Sequence, residues 1–297
     1  MKKLFSVLLA VCMVCGILAG CSGAAETDDT DYSAMTIEEL KPLLSTVSDG
    51  TLTVATSPDY APFEFYAIGE DGTPTLAGFD MALAQYVADY LGLKLEIVPM
   101  DFDGTLSELK NKKCDLSMAG YSPDPAREGA MDFSIVYYTG NQAFVCTEEN
   151  ADQFKTLEDA NNSAYQIGAQ LGSIQHKLAM ENTPDADIIP LGKVTDIVAE
   201  LVSGKMDCDF IETIVAEAYQ KNFPQLHIAM EVPYDTDGYV VGVSKGNGPL
   251  LAAVNLALQA AMDDGSLAGY IEDANALSTG NIHEGLLDQN GGLPAAE

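Results

Sequence analysis

Short apolar segments alternate with amphipathic segments along most of this chain, and that alternation restricts the fold more than any other feature. In the first half it predicts strands over Leu52–Thr56, Leu93–Pro99 and Asp115–Ala119, and helices over Gly78–Leu91 and Phe102–Asn111. Strand, helix, strand, helix, strand is the order that builds a parallel sheet with helices on its faces. The first half therefore predicts one α/β lobe.

A second alternation of the same kind begins near Glu148. Its predicted strands are Tyr165–Ala169, Asp187–Leu191 and Cys208–Ile211, and its predicted helices are Thr156–Ala160, Ser173–Met180, Val194–Ser203 and Thr213–Lys221. Two series of similar size predict two α/β lobes with mainly parallel sheets flanked by helices. We expect an apolar run over Tyr239–Ser244 and a helix over Pro249–Met262 to return to the first lobe.

The amino-terminal residues predict export. Lys2 and Lys3 precede an apolar run from Leu4 to Ile17, and small residues then precede Cys21, which is the layout of a secretory signal peptide. The run is too short to span a membrane. We expect residues 1–20 to be removed. Two interpretations of Cys21 are open: it is modified after cleavage, or the signal peptide is an ordinary one in which Cys21 has no role.

The remaining boundaries follow from composition and pattern. Residues after Cys21 are small and acidic, as in a flexible tether, and Thr36 followed by acids predicts a helix that runs to about Val47. The predicted divisions are a tether over 21–35, a helical extension over 36–50, lobe 1 over 51–143 and 236–276, lobe 2 over 144–235, and a tail over 277–297.

The charge of the chain excludes several partners. The formal net charge is −31 at pH 7, and it becomes −33 when Lys2 and Lys3 leave with the signal peptide. So negative a surface repels nucleic acid and anionic lipid headgroups. We therefore expect no nucleic-acid partner.

Cysteine and histidine usage predicts neither a metal site nor a disulfide framework. Cys114, Cys146 and Cys208 are widely spaced and odd in number, and each lies in an apolar or strand-like run, where free cysteine is usually a small buried hydrophobe. The sequence also allows one disulfide among these three cysteines, with the remaining thiol free. The histidines have no metal-ligand spacing, and the common nucleophile, phosphate and dinucleotide motifs are missing from the sequence.

The segments that follow the predicted strands are the first place to look for a ligand, because ligands of open α/β sheets bind beyond the carboxyl ends of strands. In the first half these segments are Ser57–Phe65, rich in proline and aromatics, and Gly120–Ser122, followed by Arg127. In the second half they are Gly172–Gln175 and Glu212. We expect a ligand site where these segments meet.

Arg127 is the only arginine among 14 Lys and Arg residues. A guanidinium offers a planar fork of donors that lysine lacks. The residues alone leave two interpretations open, a contact to a ligand or a structural ion pair with Asp124 or Glu128.

Several motifs occur in an order that resembles the extracellular solute-binding proteins of amino-acid ABC importers, the type II periplasmic-binding family. They are ATSPDYAPFEF, LAGFDMALAQYVADYLGLKLEIV, ELKNKKCDLSMAG, SPDPAREGAMDFSIVYY, IGAQLGSIQ and LVSGKMDCDFIE, and the resemblance covers roughly Leu52 to Ile271. It implies a two-lobe fold with a ligand cleft between the lobes. Leu18–Cys21 also resembles the lipobox of bacterial lipoproteins, which implies a lipid anchor on Cys21.

The resemblance also assigns roles to residues. It implies that Arg127 binds the α-carboxylate of a free amino acid and that Glu212 accepts its α-ammonium, where aspartate is more usual. The further implied ligand contacts are a carbonyl of Gly120, the hydroxyls of Ser122 and Ser173, the backbone of Ile174, and the rings of Tyr60 and Phe102. Ser57, Asp59, Glu64, Asp124 and Gln175 are candidates for a polar side-chain pocket, and acids near the cleft favour a cationic ligand. Asp124 and Ile174 stand where threonines are common in the family.

The predicted function is that of a monomeric, lipid-anchored extracytoplasmic receptor that closes on an amino acid and delivers it to an ABC importer permease, without a cofactor or metal. Its hinge is expected near residues 140–147 and 233–239. One alternative is an enzyme similar to secreted cyclohexadienyl dehydratases, with Glu212 as general acid. Another is a sensory receptor on the same fold.

Overall fold

The computed structural model describes residues 30–68, 72–234 and 238–278. The predicted signal peptide, the predicted lipidation site at Cys21 and the tail beyond Ser278 lie outside the described residues. The strands are β1 (Thr51–Thr56), β2 (Asp59–Tyr60), β3 (Glu64–Ile68), β4 (Pro74–Ala77), β5 (Lys94–Pro99), β6 (Leu116–Tyr121), β7 (Met131–Phe133), β8 (Gln142–Thr147), β9 (Gln166–Gln170), β10 (Asp187–Leu191), β11 (Cys208–Glu212), β12 (Leu226–Val232) and β13 (Val240–Ser244).

Helices pack on both sheets, and two of them form the carboxyl-terminal part of the described chain. They are α1 (Ile37–Leu40), α2 (Phe79–Leu91), α3 (Phe102–Lys110), α4 (Leu157–Ala160), α5 (Ile174–Asn182), α6 (Val194–Val202), α7 (Thr213–Asn222), α8 (Gly248–Asp263) and α9 (Ser266–Ser278). Short 3₁₀ turns follow α1 and β6, the latter over Pro125–Arg127.

Each lobe is built on a five-stranded mixed sheet. In lobe 1 the order is β5-β1-β6-β13-β7, with β1 parallel to β5 and β6, and β13 antiparallel to β6 and β7. In lobe 2 the order is β10-β9-β11-β8-β12, with β9 parallel to its neighbours and β8 antiparallel to β11 and β12. The two-lobe α/β class is confirmed, and the parallel part of each sheet corresponds to the strands that the sequence predicts.

The core of lobe 1 forms where α2 and α8 cover the sheet. The apolar side chains Phe79, Leu83 and Val87 of α2 recur every four residues and are fully buried. Gly78, which precedes α2, has φ +123, and a Cβ there would lie 2.0 Å from the carbonyl oxygen of Phe63. Only glycine therefore fits between α2 and the small antiparallel sheet formed by β2, β3 and β4.

The chain passes between the two sheets twice. The first passage follows β7 and ends where β8 begins at Gln142, and the second lies between β12 and β13. An isolated bridge joins Tyr138 to Tyr239, so the two passages run side by side. Because β8 belongs wholly to the lobe 2 sheet, the first hinge is confined to residues before Gln142, and the predicted range of 140–147 is too long.

The structure differs from the prediction at the end of the first helix and at the end of lobe 1. The helix expected from Thr36 to about Val47 is α-helical only to Leu40, followed by a 3₁₀ turn that ends at Leu43. Pro42 removes a backbone donor inside this stretch, so a regular helix cannot continue. At the other end, α9 extends to Ser278, two residues beyond Ala276, where lobe 1 was expected to end.

Candidate functional site

Arg127 lies at the junction of the two lobes. It ends the 3₁₀ turn that follows β6, and Asp124 caps that turn by accepting a 2.8 Å hydrogen bond from the Ala126 N–H. The guanidinium donates from Nη1 to the Ser122 carbonyl at 3.0 Å and from Nη2 to the Gly172 carbonyl at 3.2 Å. Ser122 belongs to lobe 1 and Gly172 to lobe 2, so this side chain contacts both lobes.

The charge of Arg127 is not neutralised by an ion pair with another described residue. No described carboxylate lies within 4.0 Å of its guanidinium, and the nearby Asp124 is paired with Lys177 at 3.4 Å instead. The side chain is 9% exposed, and burial lowers its pKa. The rings of Phe102 and Tyr121 lie 5.7 and 5.4 Å from its central carbon. Their π faces give partial compensation, and a bound anion would give more.

Glu212 provides a buried carboxylate at the end of β11. Its Oε2 accepts hydrogen bonds from the N–H groups of Ile214 at 2.7 Å and Val215 at 3.2 Å, which caps α7. Oε1 has no hydrogen-bond partner within the described part of the chain. Burial raises the pKa of Glu212 to about 8, against the opposing effect of the two backbone N–H groups. A free acceptor atom on a buried acid is suited to an ammonium group.

Asp59 joins the lobes through its carboxylate and its backbone. Oδ2 accepts from the Val194 N–H at 2.7 Å, at the start of α6, and from the Gln170 amide at 3.1 Å. The Asp59 carbonyl accepts from the Tyr219 hydroxyl at 3.1 Å. All three partners belong to lobe 2, whereas Asp59 begins β2 of lobe 1. Burial raises the pKa of Asp59 to about 7, opposed mainly by the Val194 N–H.

A chain of side-chain hydrogen bonds also crosses the junction. The Gln175 amide donates to the Tyr60 hydroxyl at 2.9 Å and to Gln142 Oε1 at 2.8 Å. The Gln142 amide in turn donates to the Tyr239 hydroxyl at 3.1 Å. Tyr60 and Gln175 are sequence-predicted residues, whereas Gln142 and Tyr239 were missed. The two missed residues flank the chain passages, and their polar groups in apolar surroundings were the available signal.

The other predicted contact residues also lie near this junction. Ser57 is buried, and its hydroxyl has no partner among the described residues. Gly120 has φ +60, and a Cβ on it would lie 2.9 Å from the Tyr60 ring, which therefore packs over the glycine. Phe102 packs on Tyr121 with ring centroids 5.3 Å apart. The structure thus brings aromatic rings close to the guanidinium and to Gly120.

Two residues at the start of α5 have structural roles within lobe 2. The Ser173 hydroxyl donates to the Gln170 carbonyl at 2.7 Å and accepts from the His176 N–H at 3.1 Å, which caps the helix. Ile174 is the first residue of α5, and its side chain is buried in the apolar core of lobe 2. The hydroxyl proton of Ser173 is therefore already used in this structure.

Glu64 and Asp80 are buried carboxyl groups of lobe 1, and they are treated as a pair because each affects the pKa of the other. The Tyr137 hydroxyl lies 2.8 and 3.0 Å from the two carboxylate oxygens of Asp80. Burial raises the pKa of Asp80 to about 7, and burial together with the charge of Asp80 raises that of Glu64 well above its usual range. Glu64 is therefore best described as one half of this pair.

The described ranges also bear on other kinds of site. No cluster of three or more potential metal ligands occurs there, and Cys114, Cys146 and Cys208 are buried free thiols. None of the helices in the same ranges has the length and apolar character needed to cross a bilayer.

The fold and the junction define a two-lobe binding protein, with paired polar and charged groups where the lobes meet. The family model of bacterial extracellular solute-binding proteins, family 3, matches residues 52–273, and the chain belongs to that family.

The proteins similar to this chain include amino-acid-binding proteins and an enzyme. The arginine-binding extracellular protein ArtP of Bacillus subtilis is 34% identical over 220 residues, which is 73% of this chain and 82% of ArtP. The solved structure of the amino acid ABC transporter substrate-binding protein AbpA of Streptococcus pneumoniae, bound to L-arginine, has a TM-score of 0.74 at 31% identity. That match covers 82% of this chain and 99% of AbpA. The cyclohexadienyl dehydratase of Pseudomonas aeruginosa is 30% identical over 192 residues, 64% of this chain and 69% of that enzyme.

Proposed function

We propose that this protein is an extracytoplasmic receptor that binds a free amino acid between its lobes and delivers it to an ABC importer. The observation that carries the proposal is Arg127, a buried guanidinium that lies between the lobes and has no described carboxylate partner. Burying a charge without a counter-charge costs free energy. The carboxylate of a ligand would supply the missing counter-charge. Arginine provides a planar fork that can hold a carboxylate through two hydrogen bonds.

The two ends of the ligand would then be held by different lobes. Arg127 of lobe 1 takes the carboxylate, and Glu212 of lobe 2, with its free Oε1, takes the ammonium group. Contacts from both lobes stabilise the closed arrangement, so binding and closure depend on the same bonds. The supporting contacts in this proposal are those of Gly120, Ser122, Ser173 and Ile174, the rings of Tyr60 and Phe102, and the polar groups of Ser57 and Gln175.

We further propose a ligand with a cationic side chain. Asp59 Oδ1 and Glu212 Oε1 are buried acid oxygens without a described hydrogen-bond partner, and a cationic side chain on the ligand would supply donors to the acid that the α-ammonium does not contact. A net charge of −31 favours the approach of cations. ArtP and AbpA, which are similar to this chain, are respectively named as arginine-binding and solved with L-arginine. Arginine, lysine and ornithine are therefore the first ligands to test.

The test is titration calorimetry of the purified chain against these three amino acids, with glutamine and glutamate for comparison. Replacing Arg127 by Lys keeps the charge and removes the fork, and we expect the affinity to fall roughly 100-fold or more through lost charge-assisted hydrogen bonds. The control is Lys205→Ala, which removes a cation from an exposed ion pair with Glu200 and should leave the affinity unchanged. Unaltered binding by the Arg127→Lys variant would overturn the assigned role.

An enzymatic role is the second candidate, and one observation favours it. Burial raises the pKa of Glu212 to about 8, which favours the protonated acid in the ligand-free protein, and that is the form a general acid requires. Incubation with prephenate or arogenate separates the two functions, because a receptor returns its ligand chemically unaltered. Product formation that disappears in Glu212→Gln would establish the enzyme.

Anchoring and assembly complete the proposal. We propose that Cys21 carries a lipid that holds a monomeric receptor at the outer face of the membrane. The basic start, the apolar run and the Leu18–Cys21 tetrad support this arrangement. Membership in an extracellular family is consistent with export.

A further inference from the structure

Two of the three described cysteines stand directly opposite each other in the lobe 2 sheet. Cys146 lies in β8 and Cys208 in β11, and these antiparallel strands pair Cys146 with Cys208. Both side chains are completely buried, and both belong to the same apolar cluster. They therefore point to the same face of the sheet.

The hydrogen-bond pattern identifies the kind of cross-strand pair. The Thr213 N–H donates to the Asn141 carbonyl at 2.8 Å, one position beyond the end of the two strands, so these residues form a hydrogen-bonded pair. Hydrogen-bonded and non-hydrogen-bonded pairs alternate along an antiparallel ladder. Counting back along the register places Cys146 and Cys208 in a non-hydrogen-bonded pair.

That class of pair suits a disulfide. Opposite residues in non-hydrogen-bonded pairs have Cα atoms about 4.5 Å apart, and disulfides need Cα atoms roughly 4.4–6.8 Å apart. The neighbouring pair on the same face is Phe144 with Phe210, whose ring centroids are 4.9 Å apart. Side chains opposite each other on this face are therefore in contact.

We propose that Cys146 and Cys208 are an oxidation site that closes into an intramolecular disulfide when the exported chain folds. The oxidant is a low-molecular-weight disulfide. The thiolate of one cysteine attacks it and releases one thiol, leaving a mixed disulfide. The second cysteine then attacks the mixed disulfide, forms the Cys146–Cys208 bond and releases the second thiol. The two protons lost by the cysteines end on the two released thiols.

The timing of this reaction follows from burial. In the folded protein burial raises the pKa of the Cys146 thiol to about 11 and that of Cys208 well above its usual range. Buried thiols with raised pKa react slowly, because the thiolate is the nucleophile. Exchange therefore takes place before the apolar cluster covers β8 and β11, and the finished disulfide is then protected from reductants.

A disulfide here would secure one end of a side-chain ladder that leads to the candidate site. The same face carries Cys146 with Cys208, then Phe144 with Phe210, then Gln142 with Glu212. The covalent bond fixes the register of β8, which leaves the first chain passage, against β11, which ends at Glu212. It encloses the intervening chain and stabilises lobe 2.

The decisive experiment is a peptide map of the full chain, refolded with oxidised glutathione, denatured, alkylated and digested with trypsin without reduction. The three described cysteines fall in separate tryptic peptides, residues 114–127, 128–155 and 206–221, and Cys12, Cys15 and Cys21 fall in another peptide that ends before residue 95. We expect a linked pair of 128–155 and 206–221, together with an alkylated 114–127. Three alkylated peptides, or a linkage that involves Cys114, would overturn the proposal.

Variants give a second, independent measurement. Wild-type chain refolded in reductant should melt roughly 5–15 °C below wild-type chain refolded with oxidised glutathione. Cys114→Ser, which removes the third buried thiol, should keep that shift, whereas Cys208→Ser should lose it. Because the readout is the difference between the two refolding conditions, a lower baseline stability of Cys208→Ser does not matter. If Cys208→Ser does not fold, the wild-type peptide map alone decides the question.

Discussion

Arg127 and Asp59 are both buried where the lobes meet, but their hydrogen bonds differ in kind. Arg127 donates to two backbone carbonyls, and a guanidinium has five N–H donors, so donors remain for a ligand. The Asp59 carboxylate accepts from the Val194 N–H and the Gln170 amide, both in lobe 2. Arg127 is therefore suited to contact a ligand, whereas Asp59 holds the lobes together through Oδ2 and leaves Oδ1 for the proposed cationic ligand.

Replacing Asp59 by Ala removes both carboxylate contacts between the lobes. We expect the amino-acid affinity to fall roughly 10-fold, because the lost hydrogen bonds stabilise only the closed arrangement. Titration calorimetry measures the affinity, and small-angle X-ray scattering should show a more open protein.

The matched control for Asp59 is Asp101, which also faces lobe 2. Its ion pair with Lys193 is longer, at 3.8 Å, and the Asp101 side chain is 55% exposed. Such a pair contributes little, so Asp101→Ala should change the affinity less than two-fold. Equal losses in the two variants would argue against a special role for Asp59.

At the level of single residues, sequence reasoning can predict the location of a side chain where that location follows from position along a strand. Arg127 and Glu212 both follow predicted strands, and the structure places Arg127 in contact with both lobes and Glu212 against the first chain passage. Gln142 and Tyr239 were missed because their hydrogen bond joins residues 97 positions apart. No local pattern contains that information, which depends on how the two passages are aligned.

The first chain passage is packed tightly against the candidate site. A Cβ on Gly140 would lie 2.1 Å from Glu212 Oε1 and 3.0 Å from the Tyr138 ring. Glu212 cannot easily move aside, because its other oxygen is held by two backbone N–H groups. Glycine at this position therefore leaves room for the carboxylate.

The substitution Gly140→Ala tests this close packing. We expect it to weaken amino-acid binding at least 10-fold, since the added methyl displaces the Glu212 carboxylate at a cost of about 1–3 kcal/mol. Calorimetry and thermal unfolding should be measured together. Gly269→Ala in α9 is the control, because its added Cβ meets no atom within 4 Å and alanine favours a helix. A normal affinity in Gly140→Ala would contradict the assignment of Glu212.

The elements that sequence patterns predicted are those with a regular period. The parallel strands are continuous apolar runs, and the apolar residues of α2 recur every four positions. Both patterns are visible in the local sequence. The antiparallel β8 was instead assigned to the hinge, and β12 was missed. Helix α9 was also missed, since Gly265 before it and Gly269 within it resemble loop residues. Packing of α9 against α2 and α8 outweighs these local signals.

The molecule as a whole buries several acids whose protonation couples to folding. Burial raises the pKa of Asp59 and Asp80 to about 7 and that of Glu212 to about 8, from usual values near 4. Burial also raises the pKa of Asp209 well above its usual range. Between about pH 4 and pH 8 the unfolded chain has released these protons while the folded chain still binds them, so stability falls as pH rises.

We therefore expect a higher melting temperature at pH 5 than at pH 8 in ligand-free protein. Acids with lowered pKa, such as Asp124 and Asp264, act in the opposite sense only below about pH 4, outside this range. Thermal unfolding by circular dichroism at constant ionic strength measures the effect. Asp209→Asn, which removes one buried carboxyl group from lobe 2, should reduce the difference. A melting temperature that rises from pH 5 to pH 8 would show that these acids ionise freely in the folded state.

The order of the strands also affects how the protein folds during its synthesis. Lobe 2 is drawn from one uninterrupted stretch, whereas lobe 1 places β13, from the far end of the chain, between β6 and β7. While the polypeptide is being synthesised, lobe 2 can complete its sheet early. The gap beside β6 stays open until residue 244 emerges, and this exposed edge is where quality-control factors and aggregation compete with correct folding.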